Sequence, residues 1–299
     1  DSMSFGGGRG NGKDFDMNEY RNGMPGKGDF GGMGVSDVKL QYIDDDISSY
    51  SNIWNNAKTG VTVADQNRLI KSLKKLSNGE QIDFVVDIEQ VIRYFVVHNY
   101  VCNGDSYTGA MIHNYYLYEA NGKISILPWD YNLAFGGMHG GDGASVINDP
   151  IDDLWRGTKL FDFVLQNEEY KARYHEYYNK LVNEYLYGGK FEETYNRIAG
   201  QIDELVKTDP NSMYTYGEYL KGIEVFYDAV MLRAESIEGQ LDGTIPSTSE
   251  GQKADSSKLV DASHLNLSDL GQFMRGGFGG NRGGNRQMPG NNNQNIANE

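Results

Sequence analysis

Asp105, Asn114 and Asp130 are the residues of this chain whose types and order could do chemistry. Two carboxylates and an amide offer hard oxygen donors, the kind magnesium takes. Magnesium held by one or two side chains keeps positions open for water and for the phosphates of a nucleotide. Either aspartate by itself would read as a helix cap or a turn residue. Their order around regular elements, with Asn114 between them, points instead to a magnesium-dependent phosphotransferase site.

The elements that must position them are legible around these residues. Ile88, Val91, Ile92, Phe95 and Val96 recur at i, i+3, i+4, i+7 and i+8, an apolar helix face. The Asn103-Gly104 pair predicts the end of that helix, so Asp105 sits on a loop anchored by a buried helix. Tyr115 to Tyr118 and Ile124 to Leu127 flank Asn121-Gly122, a strong hairpin signal. Pro128 ends the second strand, and Asp130 follows just beyond it. The expectation is that Asp105, Asn114 and Asp130 converge on one cleft.

Protein kinases use the same order of parts: a helix, a catalytic-loop Asp, an Asn on magnesium, then a hairpin delivering a second metal-binding Asp. Here eight residues separate Asp105 from Asn114, a longer gap than the kinase catalytic loop has. The runs GDSY, HNYYLY, ILPWDYN and AFGG within residues 88–137 closely resemble the spore coat protein H (CotH) kinase family, and the likeness continues more loosely over 38–241. The resemblance implies an α+β, protein-kinase-like fold, with a mostly helical large lobe and a β-hairpin carrying the metal-binding turn. It implies ATP and magnesium as cofactors, and protein substrates with Ser acceptors, spore coat or surface proteins in the type case. A bacterial spore coat or cell-surface location goes with it. By position, Asp105 in Asn103-Gly104-Asp105-Ser106-Tyr107 matches the family's catalytic aspartate, and Asp130 in Pro128-Trp129-Asp130-Tyr131 its metal-binding aspartate. Asn114, in the matching tyrosine-rich segment, takes its metal and cofactor role from the kinase analogy.

Composition narrows the partners. The chain has 299 residues and a formal charge of −15, with an isoelectric point near 4.8. That balance argues against a nucleic-acid-binding body and fits a nucleotide whose phosphates are masked by magnesium. Cys102 is the one cysteine, so there is no internal disulfide. No apolar run approaches the length of a membrane span, and no signal peptide opens the chain. The first residue is Asp, so the chain reads as a processed product or a fragment. With residues 1–37 Gly-rich and helical patterns beginning soon after, it reads as mainly the C-terminal lobe of a kinase-like fold, without the sheet-rich small lobe and its phosphate-clamping Lys.

Other features read more plainly. Gly26 to Gly31 matches both a glycine-rich nucleotide loop and the DFG metal motif, but no strand or hairpin frames it, so it reads as flexible linker. Residues 65–76, with Leu69, Leu73 and Leu76 on one face, and 168–186, 191–206 and 216–241 carry helical periodicity, and aromatic stripes such as that of 168–186 read as core. From Asp242 to Glu299 the composition turns to Ser, Gly, Asn and Gln. It predicts a largely disordered tail with at most a short helix in 259–273. Two RGG triplets at Arg275 and Arg282 could bind RNA weakly, but a solvated tail is the simpler reading. Asp44 to Asp46 read as a solvated helix start. His113 could touch phosphate or pack a loop. Asp149, Asp152 and Asp153 could attract a basic substrate or simply be solvated. The alternative function is a catalytically inactive kinase-like scaffold in coat or surface assembly.

Overall fold

The computed structural model describes residues 40–104, 106–108, 112, 114–136, 143–154 and 160–271. Asp105 and His113, the glycine-rich match at 26–31 and the RGG triplets lie outside the described residues. The architecture is α+β: a mostly helical body with one two-stranded antiparallel hairpin.

Helix α1 (Ser51–Asn55) follows a 3-10 turn, Ile47–Tyr50, capped by the Asp46 carboxylate. Asp45 pairs with Lys74 at 2.6 Å, so this acidic run does serve as a helix start on the surface. Helix α2 (Val63–Asn78) opens on a capping box between Thr62 and Asp65 and buries Leu69, Ile70, Leu73 and Leu76. The hydrogen bonds from Thr62, with the Arg68 guanidinium beside them, hold the Asp65 carboxyl at about 2. Arg68 also reaches the hairpin through Glu119 at 2.9 Å. A short helix, α3 (Ile82–Val85), leads into the central helix α4 (Ile88–Tyr100).

Helix α4 positions everything else. Asp87 caps it by accepting from the Gln90 N–H at 3.1 Å. Val91, Ile92 and Phe95 are fully buried, each worth about 1.5–3 kcal/mol of transfer free energy. Burial extends to Tyr94, His98 and Tyr100, beyond the apolar stripe, because other elements pack around the helix. Its C-terminus comes earlier than the Asn103-Gly104 signal implies. The helix stops at Tyr100, and Cys102 takes a left-handed conformation, φ +47. The cause is a cation from far along the chain. The buried Arg233 guanidinium donates to the carbonyls of Asn99 (3.1 Å) and Tyr100 (3.3 Å). It also donates to those of Ile147 (3.0 Å) and Asp149 (2.6 Å). A positive charge at a helix C-terminus satisfies the orphan carbonyls and suits the helix dipole.

The hairpin pairs β1 (Tyr115–Ala120) with β2 (Lys123–Pro128) in the register Tyr115 opposite Pro128 and Ala120 opposite Lys123. Asn121 and Gly122 turn it with φ +55 and +82, the left-handed pair a two-residue turn needs. Gln90 of α4 acts as a third, side-chain strand. Its amide oxygen accepts from Ile126 N–H at 2.9 Å, and its amide nitrogen donates to the Ile126 carbonyl. Helix and hairpin are therefore locked in register at the middle of β2.

The rest of the body is α5 (Gly143–Ile147), α6 (Phe163–Gln166), α7 (Glu168–Lys180, continued as a π-helix over Leu181–Leu186), α8 (Lys190–Thr208) and α9 (Tyr216–Asp242). Tyr170, Tyr174 and Tyr178 of α7 are buried, as the stripe predicts, while Tyr185 is exposed.

The disordered tail expected from Asp242 does not begin there. Residues 243–271 pack back on the body, through α10 (Ser249–Ala254) and buried Ile245, Ala262, Leu265 and Leu267. Composition hid this because polar side chains stitch the segment down. Asp152 accepts from the Ser247 hydroxyl at 2.8 Å while pairing with His175 (2.8 Å) and Lys171 (3.2 Å). Asp153 accepts from the Ser249 N–H at 3.0 Å. Asn148 exchanges two hydrogen bonds with the Val260 backbone, at 3.0 and 2.9 Å. Asp152 and Asp153 are thus neither a lure for substrate nor idle surface. Among the described residues no helix is long and apolar enough to cross a membrane.

Candidate functional site

The site grows from the two ends that α4 and β2 present together. After α4, Asn103 is buried and its amide donates to the Asp130 carbonyl at 3.3 Å. Ser106, also buried, donates to the Asn103 carbonyl at 2.7 Å and lies 3.0 Å from the Thr108 hydroxyl. At the mouth of the hairpin the Trp129 N–H donates to the Asn114 carbonyl at 3.4 Å. Beyond Asp130, Ala134 N–H closes on the Tyr131 carbonyl (3.0 Å) and Phe135 N–H on that of Val101 (2.6 Å). Leu133 and Phe135 are buried anchors for the turn.

The structure therefore brings Asn114 and Asp130 together at the base of the hairpin, against the loop that leaves α4. Asp105 is outside the described residues, but its neighbours Gly104 and Ser106 belong to that loop. Asp130 is exposed, and its carboxylate has no hydrogen bond or ion pair among the described residues. Its backbone is left-handed, φ +61, as is that of Asn114, φ +54. Positive φ at non-glycine residues gathers here, with Cys102, Ile112 and Phe135 as the other members. Asn and Asp tolerate the left-handed region, whereas a β-branched Ile does not enter it without constraint. Backbone strain of this kind marks loops that are held in place for a purpose.

Sequence reasoning missed the layer beneath Asp130. His98, on the last turn of α4, is fully buried and stacks on Tyr94 at 4.0 Å between centroids and 29°. Its Nε2 lies 3.1 Å from the Tyr131 hydroxyl oxygen. Burial pulls the His98 pKa down to about 4. Burial likewise raises the pKa of the Tyr131 hydroxyl. The Tyr94 hydroxyl faces the Tyr107 backbone and Ser106 without reaching hydrogen-bond geometry. The available signal was a histidine at i+4 from a tyrosine on an otherwise apolar helix face. Beside this layer runs a groove of about 510 Å³ whose walls include Gln90, Arg93, Tyr94, Val97, Pro128 and Tyr131. Asp130 lies in the chain between two of these residues. Trp129, on the other side of the turn, stacks on Tyr116 at 5.7 Å and 18°.

Chemically, among the described residues the arrangement offers the unpaired Asp130 carboxylate, with a second oxygen-bearing side chain, Asn114, at the facing end of β1. Magnesium bound through one or two side chains and retained waters fits such a donor set. Among the described residues no group of three or more His, Cys, Asp or Glu side chains is placed to hold a metal ion, a requirement for zinc-like closed sites and not for this one.

A family model described as CotH kinase protein matches residues 16–237. No curated protein and no solved structure matches the chain.

Proposed function

The chain belongs to the CotH kinase family, and from that premise we propose that it is an ATP- and magnesium-dependent phosphotransferase acting on Ser residues of proteins. The family suggests kinase-like phosphoryl transfer. The observation that supports the finer reading is the Asp130 turn: an exposed carboxylate on a left-handed residue, held at the end of the hairpin beside Asn114 and tied to the loop after α4.

In this reading Asp130, assisted by Asn114, holds magnesium. When bound, the metal neutralises charge on the nucleotide phosphates, the main requirement of phosphoryl transfer. Asp105 orients the acceptor hydroxyl and takes its proton, a role typically worth a factor of roughly 10²–10⁴. Asn103 and the His98–Tyr131 layer keep the turn where the hairpin sets it. The Gln90 clamp on Ile126 fixes the distance from α4 to that turn.

The test is transfer of label from γ-labelled ATP to casein by the chain joined to a sheet-rich small lobe that carries a phosphate-clamping Lys. Asp130→Ala should abolish magnesium-dependent labelling, and Asp105→Ala should slow it severely. Asp105→Ala working at the parent rate would remove its assigned role. A parent joined to a sheet-rich small lobe that still neither binds Mg-ATP nor transfers phosphate would replace the enzyme with an inactive kinase-like scaffold.

A further inference from the structure

His98 is a buried titratable group that the proposed chemistry leaves unused. Its ring lies against Tyr94 and 5.0 Å from the ring of Tyr131, at 31°. Nε2 is within 3.1 Å of the Tyr131 hydroxyl oxygen, while Nδ1 is buried with no hydrogen-bond partner among the described residues. Phenylalanine would fill the same space without an orphaned nitrogen, so packing does not account for the imidazole.

The ring is neutral at ordinary pH and carries one N–H. A proton on Nδ1 would bury a donor with nothing to receive it and leave Nε2 to accept from Tyr131. A proton on Nε2 is used at once on Tyr131 and leaves only a lone pair at Nδ1. Orphaned buried N–H groups are the rarer of the two defects. The surroundings therefore select the Nε2–H tautomer, and Tyr131 is the acceptor. The Tyr131 proton is then turned away from His98, and this residue, partly exposed, lines the groove beside Pro128.

We infer that His98 is a positioning residue: as an Nε2–H donor it holds Tyr131, and through it the left-handed Asp130 turn, and it turns the Tyr131 hydroxyl proton toward the groove beside Pro128. This inference rests on Asp130 being the metal end of the site.

Two measurements on the full chain test it. In long-range proton–nitrogen spectra of histidine-labelled protein, with His98 assigned through its loss in His98→Gln, Nε2 should carry the proton at neutral pH. A protonated Nδ1 overturns the inference. Manganese titration, read as paramagnetic broadening of Trp129 and Tyr131 signals, reports on the turn itself. His98→Phe and Tyr131→Phe should each weaken manganese binding there roughly five-fold, the worth of about one neutral hydrogen bond. The double variant should lose no more than either alone. His98→Gln, with an amide donor in a similar place, should recover most of the loss. If Asp130→Asn abolishes the broadening while His98→Phe binds like the parent, the inference fails and the metal reading of Asp130 stands. If Asp130→Asn broadens like the parent, the metal reading fails and takes the inference with it.

Discussion

Replacing Arg233 by methionine should be among the most damaging single changes outside the site. The guanidinium is fully buried and donates to four backbone carbonyls, at 2.6 to 3.3 Å. Two of them, Asn99 and Tyr100, belong to the last turn of α4. Methionine fills much of the volume but removes all four charged hydrogen bonds, leaving Asn99 and Tyr100 with long contacts from Cys102 and Asp149 with a 3.3 Å bond from Gln240. A hydrogen bond from a charged donor contributes about 1.5–3 kcal/mol, so losing four sets a gross loss of about 6 kcal/mol or more. Removing a desolvated charge gives part of that back, since a buried ion carries a penalty of several kcal/mol. The net loss should be about 3–5 kcal/mol, a large share of a typical stability of about 5–15 kcal/mol. For a domain of this size that is a drop in melting temperature of about 10 °C. Urea unfolding followed by tryptophan fluorescence should show a lower midpoint with an unchanged slope. Arg233→Lys, which keeps the charge but not the fork of donors, should fall between. A methionine variant within about 1 kcal/mol of the parent would refute the view that this cation terminates α4 and so sets the loop carrying Asn103.

Three further expectations follow from the same contacts. Gln90→Ala removes both side-chain bonds to Ile126; it should cost about 1–3 kcal/mol and speed hydrogen exchange at the Ile126 amide, and unchanged exchange there would show that the clamp is not holding β2. Asp152→Ala should expose the segment after Gly243, because it frees Ser247, His175 and Lys171 at once; tryptic cleavage at Lys253 and Lys258 should quicken, and equal rates would mean the segment is held elsewhere. His98 has a folded pKa depressed by burial from 6.5 to about 4, so its neutral form contributes stability that is present above pH 6.5 and lost as pH falls through 4, about 3 kcal/mol across the window. His98→Phe should therefore lose less stability than the parent between those pH values, and a parallel decline would contradict the buried neutral ring.

The parts of the fold that were legible in the sequence are those written in local pattern. The apolar stripe of α4, the Asn121-Gly122 turn, the leucines of α2 and the tyrosines of α7 each state their element within a few residues. Asp130 was placed correctly just past β2 because Pro128 closes the strand, and the pairing of Trp129 with Asn114 puts the two predicted metal ligands at one end of the hairpin. What escaped depends on partners far apart in sequence. The stop of α4 is set by Arg233 and not by Gly104. Gln90 mimics a strand with its side chain, which no periodicity can announce. His98 carries no local signal of its contact with Tyr131, which arrives only through the hairpin. The packing of 243–271 was hidden because polar groups, Asp152, Asp153 and Asn148, do the holding that apolar residues usually do.

The central claim is that Asp130 is the metal end of a phosphotransferase site, separate from the proton-accepting role proposed for Asp105. Calorimetric titration of Mg-ATP into the parent, Asp130→Ala and Asp105→Ala chains, each joined to the same sheet-rich small lobe, tests it most directly. The account predicts that Asp130→Ala weakens binding by at least roughly ten-fold, about 1.4 kcal/mol, while Asp105→Ala binds as the parent does. Equal Mg-ATP affinity in the parent and the Asp130→Ala chain would contradict it.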